Sequence, residues 1–247
     1  MSAVVTSQRC ANCDVAVGEG QRFCGHCGQR MVRGRLTLRE VGHDLVHAIT
    51  HADHSIFSLI KELTLRPGVV ASEYVAGKRK KYFGPFAFLF ILVGLASFVT
   101  LLSGVEWFAP VPGDNPARQF LQQHFNLVVL IQAPVLALLC QMLFWSRRLH
   151  FAEHLVLSAY TSGYRCLLLV FIATPLLAAL GGKQTHPGAI TAYFAIWLVY
   201  FGFAAVQFYG GNRWLTACKA VLAALLTQAV TFLFVFIVIW LFARFSR

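Results

Sequence analysis

Four cysteines carry the clearest chemistry in this chain: Cys10-x2-Cys13 and, ten residues on, Cys24-x2-Cys27. Two such pairs let four thiolates meet tetrahedrally around one Zn²⁺. A segment of about 18 residues cannot build its own hydrophobic core, so one structural zinc per chain is expected to act as a staple. Four thiolate ligands leave no open coordination position, which argues against a catalytic metal. Nothing thioredoxin-like surrounds the pairs to make them redox dithiols. Gly25 and Gly28 offer permissive backbone at the second pair, and His26 inside it reads as a bystander.

Two further groups could do chemistry. His43, His47, His51 and His54 recur near Asp44 and Asp53. Neighbours four apart on a helix can share a metal or handle protons, and the plainer reading is the polar face of an interfacial amphipathic helix. The other group is His150, His154, Ser158, Thr161 and Arg165, one helical face of an apolar segment, with Glu153 beside it. A charge in hydrocarbon costs at least ~2.5 kcal/mol, so Ser158, Thr161 and Arg165 mark an intramembrane polar site facing the bundle interior or a water-filled cavity. The alternative is that Arg165 snorkels to the inner interface. Glu153, Gln132, Gln141, Gln207 and Gln228 are its candidate partners. His47, His51, Asp53, Glu153 and His154 are the residues that could form a catalytic group on the cytosolic side. No P-loop, dinucleotide fingerprint, nucleophile elbow or zincin helix is present.

The elements that must hold these residues are membrane helices. Of 247 residues, 57% are hydrophobic and only 13% charged, and Phe occurs 22 times. The mean hydropathy is +0.64. A soluble domain needs about twice that charge to cover its surface. Five apolar stretches, at about 84–104, 125–145, 152–180, 188–209 and 217–243, each approach or exceed the ~20 residues that cross hydrocarbon. The fold class is therefore all-α: a bundle of about five transmembrane helices (83–247), preceded by a zinc-ribbon knuckle (1–30) and cytosolic or interfacial amphipathic helices (31–82). Pro134 and Pro175 lie inside spans two and three. Cys140, Cys166 and Cys218 read as buried small hydrophobes.

Within 31–82, Thr37 and Glu40 form a capping box that should start a helix whose apolar face is Leu38, Val41, Leu45 and Ile49. A second helix is expected at Ser55–Leu65, and a third at about 69–77, stopped by Gly77. The net charge is +11, and twelve of the 21 Lys and Arg fall in residues 1–82. The run Lys78-Arg79-Lys80-Lys81 abuts the first span, which favours a contact with anionic lipid head groups over nucleic acid. With Arg147, Arg148, Arg213 and Lys219 in alternate loops, it places that end inside. The first residues, MSAVVTSQRC, lack a signal-peptide core, so the N-terminus is expected in the cytosol, and five spans then put the C-terminus in the periplasm.

Several of these residues recur in a pattern: Phe23-Cys24-x2-Cys27-Gly28-Gln29, His47-x3-His51-x-Asp53 and Leu65-Arg66-Pro67-Gly68. They are followed by Glu73-Tyr74-x2-Gly77-Lys78-Arg79-Lys80-x-Tyr82-Phe83-x-Pro85-Phe86 and by Glu153-His154-Leu155-Val156. The pattern resembles a bacterial zinc-ribbon membrane protein family of unknown function, domain-of-unknown-function family 3667. The resemblance covers most of residues 10–160 and is most specific between Arg66 and Phe86. It implies a bacterial inner-membrane address and the same topology, and no established activity.

The reading that follows is a membrane adaptor, or an assembly or regulatory factor, that binds a protein partner through its cytosolic ribbon. A small transporter or lipid-handling protein using the span-three stripe is the alternative. A membrane-embedded metal-dependent enzyme is the third.

Overall fold

The computed structural model describes residues 8–18, 20–31, 36–37, 55–103, 125–179 and 187–245. The expected helix after Thr37, with His43, His47, His51, Asp53 and His54, lies outside the described residues. So do the loops 104–124 and 180–186.

A two-stranded antiparallel ribbon comes first, β1 (Gln8–Arg9) against β2 (Ala16–Val17), with a further bridge between Phe23 and Arg30. The helices are α1 (Ser55–Leu65), α2 (Pro67–Val75), α3 (Pro85–Ser103), α4 (Val128–Leu143), α5 (Phe151–Leu168), α6 (Thr174–Ala179), α7 (Pro187–Tyr209) and α8 (Arg213–Phe245). Among the described residues, four helical stretches are long and apolar enough to cross a membrane: Pro85–Ser103, Phe151–Leu177, Gly188–Tyr209 and Arg213–Ile237. α4 is apolar but shorter.

Local sequence sets the ends of these elements. Pro67 opens α2 at its first helical position, where its missing N–H costs nothing, so this helix begins two residues earlier than the expected 69. It stops at Gly77, whose φ of +103° is left-handed. There the Gly77 N–H donates to Tyr74 O (3.1 Å) and the Lys78 N–H to Glu73 O (3.0 Å), the paired bonds of a Schellman cap. Asn212 Oδ1 accepts the Trp214 and Leu215 amides and caps α8 at Arg213, four residues before the expected start at 217. A π-turn at Leu169–Ala173 joins α5 to α6. It ends two residues before Pro175, which has no N–H to donate and crowds the carbonyl one turn back. The span expected at 152–180 is thus one rod with an adjusted turn, and Arg165 sits in its regular part.

α5 is the centre of the bundle. Its span window is 78% buried, against 22–39% for the other three. α3, α4, α7 and α2 all pack on it. At the α3 crossing Gly163 faces Phe88, and a Cβ there would lie 2.7 Å from the ring. The ends with basic loops gather on one side: Arg147, after α4, donates to Gly210 O, after α7, at 2.9 Å. At the far end Asn126 Nδ2 donates to Thr100 Oγ1 at 3.2 Å, tying the start of the α4 segment to the end of α3. Cys140 and Cys166 are buried as expected, whereas Cys218 is exposed, because α8 turns that face away from the bundle.

Candidate metal centre and buried polar cluster

The two Cys pairs form matching turns. Cys10 N–H donates to Val15 O and Asp14 N–H to Cys10 O; in the second turn Cys24 N–H donates to Gln29 O and Gly28 N–H to Cys24 O. Each turn needs one left-handed residue directly after its second cysteine. Gly28 fills it with φ +70°, and Asp14 fills it at +59°, a conformation short Asp side chains tolerate. Gly25 is not among the left-handed residues, so the permissive position is Gly28 alone.

These turns bring four sulfurs within 4.8 Å of one another, with Cys10–Cys27 and Cys13–Cys24 each at 3.6 Å. A disulfide needs about 2.05 Å, so these are free thiols. Zn–S bonds of about 2.3 Å set tetrahedral sulfurs about 3.8 Å apart, close to this spacing. The donor set and geometry therefore fit one soft or borderline metal ion. The second turn also favours thiolates: the Gln29 N–H, with the Asn12 side chain, draws Cys27 down to about 6, and the Cys27 and His26 amides lower Cys24.

The ribbon is seated on the turn that leads into α3. Gln29, buried after the last ligand, accepts the Lys80 N–H at 2.7 Å through Oε1. Beside it, Gly77 lies against Ala11 and Gly28 against the Lys80 ammonium. The basic run is itself engaged. Lys78 and Lys81 each lie 3.0 Å from Glu73, Lys81 also reaches Glu62 at 3.8 Å, and Glu62 pairs with Arg66 at 2.9 Å. Tyr82 donates to Glu73. That bond, helped by the two lysines, holds the Glu73 carboxyl down at about 2, and burial beside Glu73 and Glu62 pushes the Tyr82 phenol up.

Within the bundle, Arg165 is buried and Nη2 donates to Gln132 Oε1. Gln132 Nε2 donates in turn to Gln228 Oε1 (2.9 Å) and Thr231 Oγ1 (3.2 Å). The guanidinium carbon lies 4.8 Å from the Trp197 ring, and Tyr193 donates to the Arg165 carbonyl at 3.2 Å. No described carboxylate pairs with Arg165, so its charge is met by amide oxygen and the indole face. This polar clasp joins α4, α5, α7 and α8. Of the candidate partners, Gln132 is direct and Gln228 acts through it. Gln207 instead accepts the Gly68 N–H at 3.0 Å. Thr161 bonds back to Leu157 O at 2.8 Å, and Ser158 is buried one turn earlier.

Glu153 and His154 serve separate ends. Glu153 accepts the His150 N–H at 2.8 Å and caps its own helix. His154 is buried with Nδ1 2.7 Å from Tyr209 OH, and Tyr209 stacks on Phe144 at 3.9 Å.

Residues 53–96 match the family model described as Protein of unknown function (DUF3667). No curated protein and no solved structure matches the chain. The matched segment runs from α1 through the basic turn into α3, and its motif residues from Arg66 to Pro85 act inside it, against α5 and α7, or, at Gly77 and Lys80, against the ribbon. Pro67 and Gly68 start α2 on α7, Gly77 ends it, Tyr82 holds Glu73, and Phe83 O accepts Tyr160 OH at 2.7 Å. Gln29 and Gly68 stand in the sequence pattern without a role, and Tyr160, Tyr164 and Tyr200 carry no sequence signal; the partners of all five are remote in sequence.

Proposed function

We propose that this membrane protein is an adaptor: a Zn²⁺-stapled ribbon held rigidly at the head of the bundle and presented to a protein partner. The observation that carries this reading is the Gln29–Lys80 bond, because it fixes the ribbon to the membrane domain instead of leaving it on a loose tether. The ribbon keeps Val15 and Phe23 exposed, Phe23 at 59%. A large exposed aromatic beside arginines is the composition of a protein-contact surface. The described candidates for catalysis support a non-enzymatic role, since Glu153 caps its own helix and His154 is buried against Tyr209.

In this reading α4, extended by the turn at Phe125–Leu127, is the fifth span, and the ribbon end faces the cytosol of a bacterial inner membrane. The basic residues of the 78–81 turn, of the 147–148 loop and at 213 and 219 in the first turns of α8 support the orientation. The Arg165 clasp supports the lipid-handling alternative, and loss of function in an Arg165→Ala protein of normal abundance would favour it.

The test is site-specific photocrosslinking in intact cells from positions 15 and 23, with position 98 on α3 as a lipid-facing control. The adaptor reading expects one discrete protein adduct from the ribbon positions, lost in a Cys24→Ser/Cys27→Ser chain. Absence of any adduct at both positions would overturn it.

A further inference from the structure

The end of α1 reaches further along the bundle than its place before the first span suggests. Tyr160 and Tyr164 lie one turn apart on the same face of α5. Tyr160 OH donates to Phe83 O at 2.7 Å, and Tyr164 OH donates to Thr64 Oγ1 at 3.0 Å. One turn is about 6 Å, so Thr64 sits about that much further toward the far end than Phe83, level with the first turn of α3. A second spanning helix agrees: Tyr200 of α7 donates to Leu63 O at 2.9 Å and stacks on Tyr164.

α3 fixes what surrounds that level. The uncharged run between Lys81 and Glu106 holds the 19 described residues of α3, and crossing about 30 Å of hydrocarbon takes about 20, so the apolar slab begins near the first turn of α3. The C-terminal end of α1 therefore lies at the edge of the slab, on the ribbon side.

Its outward stripe suits that place. Phe57, Ser58, Lys61 and Leu65 face away from the bundle at helical spacing, with Phe57 75% and Leu65 66% exposed, and Thr64, bonded to Tyr164, marks the edge of the stripe. Leu65 is adjacent to Leu63 and Thr64, which Tyr200 and Tyr164 hold, and Tyr200 is flanked on α7 by exposed Val199 and Phe203. The apolar surface of α7 thus continues onto α1. The hairpin's charges turn back instead: Arg66 pairs with Glu62, and Glu62 approaches Lys81. Lys61 has a stem long enough to carry its ammonium back to head groups.

We propose that α1 is half immersed in the ribbon-side leaflet, with Leu65 among the acyl chains, Phe57 at the head-group boundary and Lys61 snorkelling between them. The occupant of this face is lipid. The inference rests on the membrane reading of the bundle and not on the adaptor reading.

A nitroxide spin label tests it in a Cys218→Ser chain, at Leu65→Cys and separately at Phe57→Cys. The protein is purified with metal and reconstituted in liposomes of phosphatidylcholine and phosphatidylglycerol. Metal stoichiometry and elution volume confirm that each variant is folded and its ribbon thiols are protected. Collision rates with oxygen should exceed those with a water-soluble nickel chelate several-fold at position 65, and by less at position 57. A label at 65 that collides freely with the chelate would put α1 in water. A label shielded from both reagents would mean that a second copy covers the face. Either result overturns the proposal.

Discussion

Gly68→Ala should unfasten α2 from α7. A Cβ at Gly68 would lie 2.1 Å from Ala204 O, 2.5 Å from Gln207 Cβ and 2.7 Å from Phe208 N. Two of these are backbone atoms of a spanning helix and have no rotamer in which to escape. Ordinary carbon contacts begin near 3.5 Å, so the helices must part by about 1 Å or more. Parting them strains the Gly68 N–H bond to Gln207 Oε1 and loosens the buried Val70, Ala71 and Tyr74. Overpacking costs about 1–3 kcal/mol and a lost hydrogen bond about 1 kcal/mol, so the expected total is about 2–4 kcal/mol. The control is Gly94→Ala, where an added Cβ meets nothing within 4 Å on a regular stretch of α3. Alanine there should leave stability unchanged or raise it by up to about 1 kcal/mol. Thermal unfolding of both variants in detergent, with metal bound, checks this. A Gly68→Ala midpoint equal to wild type, or a Gly94→Ala midpoint below that of Gly68→Ala, would refute the packing argument.

Two other perturbations read separate parts of the molecule. Glu73 is held low, mainly by Tyr82 and then by Lys78 and Lys81, so its stabilising contribution is complete above the ordinary carboxylate range and fades as pH falls toward about 2. Glu73→Gln should therefore flatten the loss of stability between pH 5 and pH 2 relative to wild type, as followed by denaturation midpoints; identical pH profiles would remove Glu73 from the account. Gln132→Leu leaves the buried Arg165 guanidinium without its amide acceptor and should cost about 1–3 kcal/mol in detergent unfolding. A neutral result would show that the indole face of Trp197 alone suffices.

Local patterns in the sequence were the legible ones. The ribbon follows from two CxxC pairs because each turn is closed by bonds within six residues. The spans follow from runs of apolar residues because hydrocarbon imposes a length. Glu153 was also within reach: an acidic residue three after the helix start, before an apolar run, is an N-terminal signature. Most contacts between remote residues were not legible; Gln132 and Gln228, named as candidate partners of Arg165, are the exceptions. Nothing near Gly68 announces that Ala204 and Gln207 of α7 leave it no room, and nothing near Gln29 announces Lys80. The polar stripe on α5 was visible as a stripe, but its meaning depended on Gln132 and Trp197 arriving from other helices. Cys218 was misjudged because an apolar run does not say which face of its helix meets lipid.

The central claim is a membrane bundle that carries one four-thiolate metal centre, and metal content tests it most directly. Detergent-purified wild type and a Cys10→Ser/Cys13→Ser variant would be measured by plasma mass spectrometry. The account predicts about one zinc per wild-type chain and almost none in the variant. A wild type without metal, or a variant that keeps a full equivalent, would contradict it.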